Sequence, residues 1–249
     1  MKTVVSTLLA LSVAVLWVPS ELPVPIALAA STTPTFTVAE NTPLETVPNS
    51  FTGFSIDSAN LCAVVSLAQT DPAFLQLFRN LGPGILRVGG NTGDIRATWS
   101  TTANASCVWN NLVVTPALAN AFFAFAQSVG YRVMWQVPLG NNNFAADASE
   151  AAFVSTLPNV YSIEIGNEPN LYSGASTNYQ TYINNWVTVY QTYLADGGTA
   201  PVTGPAVTTS ASFYTTPFLQ QNATKIIALT GHYYVASAKP RLHRPALSC

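Results

Sequence analysis

The chain has 249 residues, of which 49% are hydrophobic and only 8% are charged, against roughly 25% charged residues in an average soluble domain. Its formal net charge of −2 gives no sign of a nucleic-acid partner or of an anionic membrane surface as a partner. Because 11% of the residues are aromatic, the composition also excludes a mainly disordered chain.

The N-terminus has the pattern of a secretory signal peptide. Lys2 is followed by an apolar run and then by the small residues at positions 27–30, which fit an A-x-A cleavage site. The sequence therefore predicts a signal peptide over residues 1–29 and a secreted, extracellular protein. A signal anchor that stays in the membrane is the alternative, and Pro19 and Pro23 disfavour it because they interrupt the end of the run.

The rest of the chain divides into three parts. Residues 30–50 are a Thr- and Pro-rich lead with one short strand-like alternation around Phe36 and Val38. Residues 51–236 alternate between strand-like and helical segments, and residues 237–249 resemble an unrelated tail without a strand or helix pattern.

Six strand-like segments follow one another in the central part: SFTGFSID, GILRVGG, YRVMWQVPLG, VYSIEIGNE, APVTGPAV and KIIALTGHYYV. Helical patterns separate them. One begins after Asp71 with Pro72 in its first turn, and another begins after Thr115 and ends near Gly130. Buried strands separated by helices favour a parallel sheet built from βα units.

Two architectures fit such a sheet, an open doubly wound sheet and a closed (β/α)₈ barrel. The polar residues that follow the C-terminal ends of the strands distinguish between them. They are Asp57, Asn91, Asp94, Asn141, Asn167, Glu168, His232 and Tyr233. Functional side chains collect at that face in a (β/α)₈ barrel, whereas no strand here leads into the GxGxxG pattern of a dinucleotide-binding sheet. The sequence therefore predicts an α/β fold, an incomplete (β/α)₈ TIM barrel with about six of its eight βα units.

The stretch VYSIEIGNEPN places two glutamates in an apolar run. A buried carboxylate costs several kcal/mol unless it is paired or used. Side chains alternate along a strand, so Glu164, Gly166 and Glu168 are predicted to share the face toward the barrel interior. Glu168 then lies at the mouth, where its carboxyl group can act as a proton donor, with the Asn167 amide beside it as a hydrogen-bonding group. The alternative role of a structural carboxylate, bonded to Arg87 or to a backbone turn, suits Glu164 better.

Three motifs in this order, GILRVGGNTGD, YSIEIGNEPN and TGHYYV, resemble glycoside hydrolase family 79, the β-glucuronidases and heparanases. The similarity extends from about Phe51 to Val235. It implies hydrolysis of β-glucuronosides with retention, with Glu168 as the general acid/base and Asn167 in contact with the sugar. It also assigns substrate-binding roles to Asp57, Asn91, Asp94, His232, Tyr233 and Tyr234. Several of these residues have simpler alternative roles. Asp57 could cap the next segment, Asn91 and Asp94 could form the turn, and His232 could be structural.

The sequence departs from that family at the nucleophile. Retaining glycosidases use two carboxylates about 5–5.5 Å apart, and the resemblance implies a nucleophilic glutamate on strand seven. Glu168 is the last glutamate, and Asp196, in a turn before the fifth strand, is the only later acid. We therefore expect strands seven and eight and the family's C-terminal β-sandwich to be missing, and this truncated chain to be inactive by itself. The alternatives are a secreted, non-catalytic carbohydrate-binding protein and another glycosidase of the same clan, of β-glucosidase or β-xylosidase type.

The remaining predictions concern covalent features and partners. Cys62 and Cys107 are candidates for a disulfide in an oxidising compartment. Asn104 and Asn222 lie in N-x-S/T sequons and are glycosylation candidates if exposed. The chain has no close Cys or His pairs, which makes a metal site an unfavoured interpretation. No cofactor is implied either. The expected partner is a glucuronic-acid-containing glycan, with no nucleic acid and no stable membrane anchor.

Overall fold

A computed structural model of the chain describes Thr46, Pro48 and residues 51–172, 178–208 and 212–234. The predicted signal peptide, the strand-like alternation in the lead and the C-terminal tail lie outside these residues. Within them the strands are β1 (Gly53–Asp57), β2 (Gly84–Gly89), β3 (Ala97–Trp99), β4 (Ser106–Val108), β5 (Asn111–Val114), β6 (Tyr131–Val137), β7 (Val160–Ile165), β8 (Val202–Thr208) and β9 (Ile226–His232).

Helices follow or separate these strands. They are α1 (Leu61–Thr70), α2 (Pro72–Leu81), α3 (Asn91–Arg96), α4 (Pro116–Ser128), α5 (Phe144–Ser155), α6 (Tyr179–Ala195) and α7 (Ser212–Asn222). Two of the predicted helix starts are confirmed. Asp71 accepts hydrogen bonds from the N–H groups of the first turn of α2, and the Thr115 hydroxyl does so for α4.

The main sheet is six-stranded, parallel throughout and curled, in the order β1-β2-β6-β7-β8-β9. The predicted α/β class with a parallel sheet is thereby confirmed. The strand faces that carry Leu86, Val88, Trp135, Ile163 and Ile165 are fully buried beneath the helices. The opposite face is concave and carries polar residues, in the manner of half a barrel.

Three features of the fold were not predicted. They are α1, the short α3 and a small second sheet of order β3-β5-β4. Strands of three or four residues are too short to show an alternation that stands out from chance. A disulfide between Cys62 and Cys107 joins α1 to β4 and so ties the small sheet to the main unit.

Both edges of the main sheet expose apolar side chains. Phe54 on β1 is 42% exposed, and Ile227 and Leu229 on β9 are 53% and 45% exposed. In a closed barrel every strand has two neighbours, so such edges do not occur. Within the described residues, no single helix is long and apolar enough to span a membrane; only the pair Ser58–Thr70 and Pro72–Leu81, bent by 103°, passes that test.

The two glycosylation candidates differ in accessibility. Asn104 is exposed in the turn before β4. Asn222 is 1% exposed, and its side-chain nitrogen donates to the Phe218 carbonyl while its oxygen accepts from Lys225. The condition of exposure is therefore met at Asn104 and not at Asn222, where the nitrogen that would carry a glycan is buried and hydrogen-bonded.

Candidate active site

The site is built on the turn that follows β7. The strand ends at Ile165, and the next residues include two with left-handed backbone, Gly166 at φ 84° and Glu168 at φ 46°. The strict alternation predicted through Glu168 is wrong beyond the strand end, because the turn rotates the chain. Asn167 consequently faces the interior, as Glu164 does.

Two backbone hydrogen bonds fix this turn to its neighbours. The Gly166 N–H donates to the Val137 carbonyl at 3.0 Å, and the Glu168 N–H donates to the Ala206 carbonyl at 2.8 Å. A left-handed conformation costs a residue other than glycine about 1–2 kcal/mol. Backbone strain of this kind, as at Glu168, clusters at functional sites, where the surrounding structure fixes the direction of a side chain.

The Glu168 carboxylate is held by one of its two oxygens. Oε1 lies 2.8 Å from His232 Nδ1 and accepts a 2.6 Å hydrogen bond from the Tyr234 hydroxyl. Oε2 has no hydrogen-bond partner among the residues that the structure describes. The side chain is 15% exposed, so Oε2 is the atom that can exchange a proton with a bound molecule. The contact to Glu168 also raises the pKa of Tyr234, since a carboxylate acceptor favours the protonated phenol.

Beneath the mouth, Arg87 joins several strands through hydrogen bonds. Its Nε donates to Glu164 at 2.6 Å, and its Nη2 donates to Gln136 at 3.0 Å and to Asn167 at 2.9 Å. A longer bond of 3.3 Å reaches Ser55. Because Arg87 occupies the Asn167 oxygen, the amide nitrogen of Asn167 is the group left to donate to a ligand.

The structure brings only part of the predicted site together. His232 and Tyr234 contact Glu168, and Asn167 lies beside it. The Oδ1 of Asp57 caps the following 3₁₀ turn by accepting from the Ala59 N–H at 2.9 Å. This is the simpler role that the sequence left open.

Two further predicted ligand contacts are also placed away from the carboxylate. Asp94 is fully buried, and its Oδ1 accepts from the N–H groups of Leu139 and Gly140. It therefore supports the loop after β6 and cannot touch a substrate in this conformation. Tyr233 is 74% exposed and lines a separate depression beside β8.

A cavity of about 320 Å³ adjoins Glu168 on the side of β6 and α6. Its lining is rich in carboxamides and otherwise apolar or aromatic. The lining residues are Asn91, Ile95, Leu139, Gly140, Asn142, Asn167, Glu168, Leu171, Tyr172 and Asn185. Two of the residues predicted to bind substrate, Asn91 and Asn167, therefore line this cavity together with Glu168.

Sequence reasoning missed Gln136, Tyr172 and Asn185. A signal existed for Gln136, which is a lone amide inside the apolar strand YRVMWQV and is 3% exposed. Asn185 carries no such signal, because an asparagine within a helix is usually solvated. Its position at the cavity follows only from the packing of α6 against the sheet.

Three buried carboxylates lie behind the cavity, between β6, α3 and α5. Asp94, Asp147 and Glu150 are at most 1% exposed. Burial raises their pKa values to about 6, about 7 and about 8 respectively. Asp147 accepts from the Asn141 amide and Glu150 from the Trp135 indole N–H. No cation is bonded to them among the described residues, so the uncharged acid is the form that suits this environment.

Neither a protein-family model nor a curated protein sequence matches the chain. Among solved structures, a 4-O-α-L-rhamnosyl-β-D-glucuronidase from Fusarium oxysporum 12S, in complex with Rha-GlcA, is 20% identical with a TM-score of 0.60. That match covers 76% of this chain and 45% of that chain.

Two weaker matches are a monomeric β-xylosidase from Caulobacter crescentus CB15 and a GH39 enzyme from Xanthomonas axonopodis pv. citri. The first is 13% identical with a TM-score of 0.46 and covers 72% of this chain and 41% of that chain. The second is 14% identical with a TM-score of 0.39 and covers 72% and 40%. The chain spans less than half the length of each of these three structures. The Fusarium match establishes the fold: the chain shares it with part of a glycoside hydrolase.

Proposed function

We propose that this chain carries the acid/base part of the active site of a retaining β-glycoside hydrolase, with Glu168 as the proton donor. The observation that carries the proposal is the state of the Glu168 carboxylate. Oε1 is held by His232 and Tyr234, while Oε2 is open at the C-terminal rim of a half-barrel. Function in this fold gathers at that rim.

In the first step, Glu168 gives its proton to the glycosidic oxygen as the bond between that oxygen and the anomeric carbon breaks. A second carboxylate attacks the anomeric carbon and forms a glycosyl-enzyme ester. In the second step, Glu168 takes a proton from water, and the resulting hydroxide displaces the ester. Asn167 is positioned to donate to a hydroxyl of the reacting sugar through its amide nitrogen.

The second carboxylate has no good candidate within the described residues. Glu164 is 1% exposed and bonded to Arg87, so its carboxylate is not accessible to the anomeric carbon of a bound sugar. Asp94 is fully buried, and Asp57 serves as a cap. We therefore assign the nucleophile to a further strand that would pair beyond β9, and we expect the 249-residue chain by itself not to turn over substrate.

The substrate class that we propose is the β-glucuronosides. Two observations support it: the three ordered motifs that resemble glycoside hydrolase family 79, and the fold shared with part of a rhamnosyl-glucuronidase. We also propose that the protein is secreted, which the Cys62–Cys107 disulfide supports because such bonds persist mainly in oxidising compartments. A non-catalytic carbohydrate binder is the second candidate, favoured by the single open carboxylate at the rim.

The test begins by reading the transcript past codon 249 and expressing the longer product. Glu168→Gln in that product should lower kcat/KM for an alkyl β-glucuronide by about 10²–10⁴-fold, the usual contribution of a general acid. A dinitrophenyl β-glucuronide should lose much less in its first step, because its leaving group departs without a proton.

Two results would contradict the proposal. Equal activity of Glu168→Gln and parent on the alkyl glucuronide removes the assigned role. A longer product that binds glucuronides without any turnover favours the carbohydrate binder instead.

A further inference from the structure

The last residue of the stretch IGNEPN, Asn170, is not used by the reaction proposed above. Its side chain is half-buried and lies outside the lining of the cavity beside Glu168. Both ends of its amide are nevertheless bonded to one residue of β8. Its Nδ2 donates to the Thr208 hydroxyl at 2.8 Å, and its Oδ1 accepts from the Thr208 N–H at 3.1 Å.

These two bonds extend the contact between β7 and β8 past the end of β7. The Glu168 N–H donates to the Ala206 carbonyl, and two residues further along both segments Asn170 meets Thr208. Between the two contacts, Pro169 begins a 3₁₀ turn and has no N–H to donate. The side-chain amide of Asn170 carries a donor and an acceptor, as a peptide group does, and it supplies the next contact to β8.

The part of β8 that receives these bonds is itself fixed to β9. Ala206 has a left-handed backbone at φ 55°, and its N–H donates to the Thr230 hydroxyl at 3.1 Å. The strand β9 also carries His232, whose ring contacts the Glu168 carboxylate. The turn after β7 and the histidine that its carboxylate contacts are therefore attached to the same pair of strands.

The backbone of Glu168 gives this attachment a consequence for the carboxylate. Its φ of 46° and ψ of 50° lie in the left-handed region, which an unrestrained glutamate avoids. A change to a right-handed or extended backbone would rotate the Cα–Cβ bond and move Oε1 away from His232 and Tyr234. The two bonds of Asn170 lie only two residues after Glu168, so they oppose that change.

We propose that Asn170 is a positioning residue for Glu168. By binding Thr208 through both ends of its side-chain amide, it keeps the turn after β7 in the conformation that directs the Glu168 carboxylate to His232 and Tyr234. The inference rests on the proposed function only for the chemical role of Glu168. The contacts themselves belong to the 249-residue chain and can be measured without turnover.

Amide hydrogen exchange of the 249-residue chain measures the turn and the strand separately. Asn170→Ala removes both bonds to Thr208 and should accelerate exchange of the Glu168 N–H at least about tenfold more than that of the Ile163 N–H, which is bonded within the sheet. The matched control is Asn159→Ala, which removes two bonds to backbone carbonyls at the other end of β7. The control should change the exchange of both amides by the same factor.

The pKa of Tyr234 reports whether the carboxylate itself has moved. The contact to Glu168 raises this pKa, so Asn170→Ala should lower it toward its ordinary value of about 10, as measured by NMR of tyrosine labelled at Cζ. Asn159→Ala should leave it as in the parent. Asn170→Asp should restore the parent value, because a carboxylate can accept from both the N–H and the hydroxyl of Thr208.

Three outcomes overturn the proposal: equal acceleration of the two amides in Asn170→Ala, an unchanged pKa of Tyr234, or no recovery in Asn170→Asp. Should Asn170→Ala fail to fold, Asn170→Ser takes its place, since the serine side chain is too short to bind both groups of Thr208. A failed Glu168→Gln test would refute the proposed reaction and leave these contacts standing. A failed Asn170 test would leave the acid/base assignment of Glu168 standing.

Discussion

Glu164 and Glu168 lie four positions apart on the same segment but occupy opposite environments. Glu164 is 1% exposed and bonded to Arg87 at 2.6 Å. Glu168 is 15% exposed, sits on a left-handed backbone and keeps one oxygen open. The inner carboxylate neutralises a cation that ties four strands together, whereas the outer one is held in place without being neutralised. Burial with a counter-charge suits a structural group. A carboxylate that is held by one oxygen and keeps the other open is what the proton donor proposed above requires.

The largest expected effect comes from breaking the inner pair. Glu164→Gln leaves the Arg87 guanidinium inside the sheet without its counter-charge, which typically costs about 3–5 kcal/mol of unfolding free energy. Urea unfolding measures the loss. Glu168→Gln is the matched control and should cost less than about 1.5 kcal/mol, because the amide oxygen of glutamine can still accept from Tyr234. Equal losses in both variants would contradict the distinction between the two residues.

The next effect concerns burial without a counter-charge. Burial raises the pKa of Glu150 from 4.5 to about 8, so the folded chain holds this proton over a range where the unfolded chain has released it. This contribution to the free energy of unfolding is complete below the ordinary pKa of 4.5. It is lost as pH rises toward the folded pKa of about 8, at about 1.4 kcal/mol per pH unit. Asp147, with its pKa raised to about 7, acts in the same direction.

Glutamine resembles the protonated, uncharged form of glutamate. Glu150→Gln should therefore remove the contribution of Glu150 to the fall of the unfolding free energy with pH. Variant and parent should have similar stability near about pH 4, and the variant should be the more stable near about pH 8. Urea unfolding across this range checks it. A parent whose stability rises with pH over the same interval would contradict the neutral state assigned to Glu150.

The smallest expected effect is at the rim itself. The hydrogen bond to Glu168 raises the pKa of Tyr234, so Glu168→Gln should lower the Tyr234 pKa toward its ordinary value of about 10. NMR of tyrosine labelled at Cζ resolves this residue from the other tyrosines, and Tyr234→Phe assigns its resonance. An unchanged Tyr234 pKa in the variant would mean that the contact to Oε1 is not formed in solution.

Much of the frame was predictable because it depends on local patterns. Asp71 and Thr115 begin helices through side-chain caps, and a cap involves only residues within one turn. The strand that carries Trp135 shows its burial through the apolar residues Val133, Met134 and Val137 around it. The small sheet was missed because strands of three or four residues carry too little pattern.

The sequence by itself determined the parallel α/β frame, the six strands of the half-barrel and the candidacy of Glu168 at a strand end, since each rests on periodicity or on neighbouring residues. Only the tertiary structure decided what the polar residues do. Asp57 became a cap, Asp94 a buried support for a loop, and Asn185 part of a cavity wall. The physical reason is that burial, hydrogen-bond partners and the turn after Ile165 are set by residues distant in sequence, which no local pattern records.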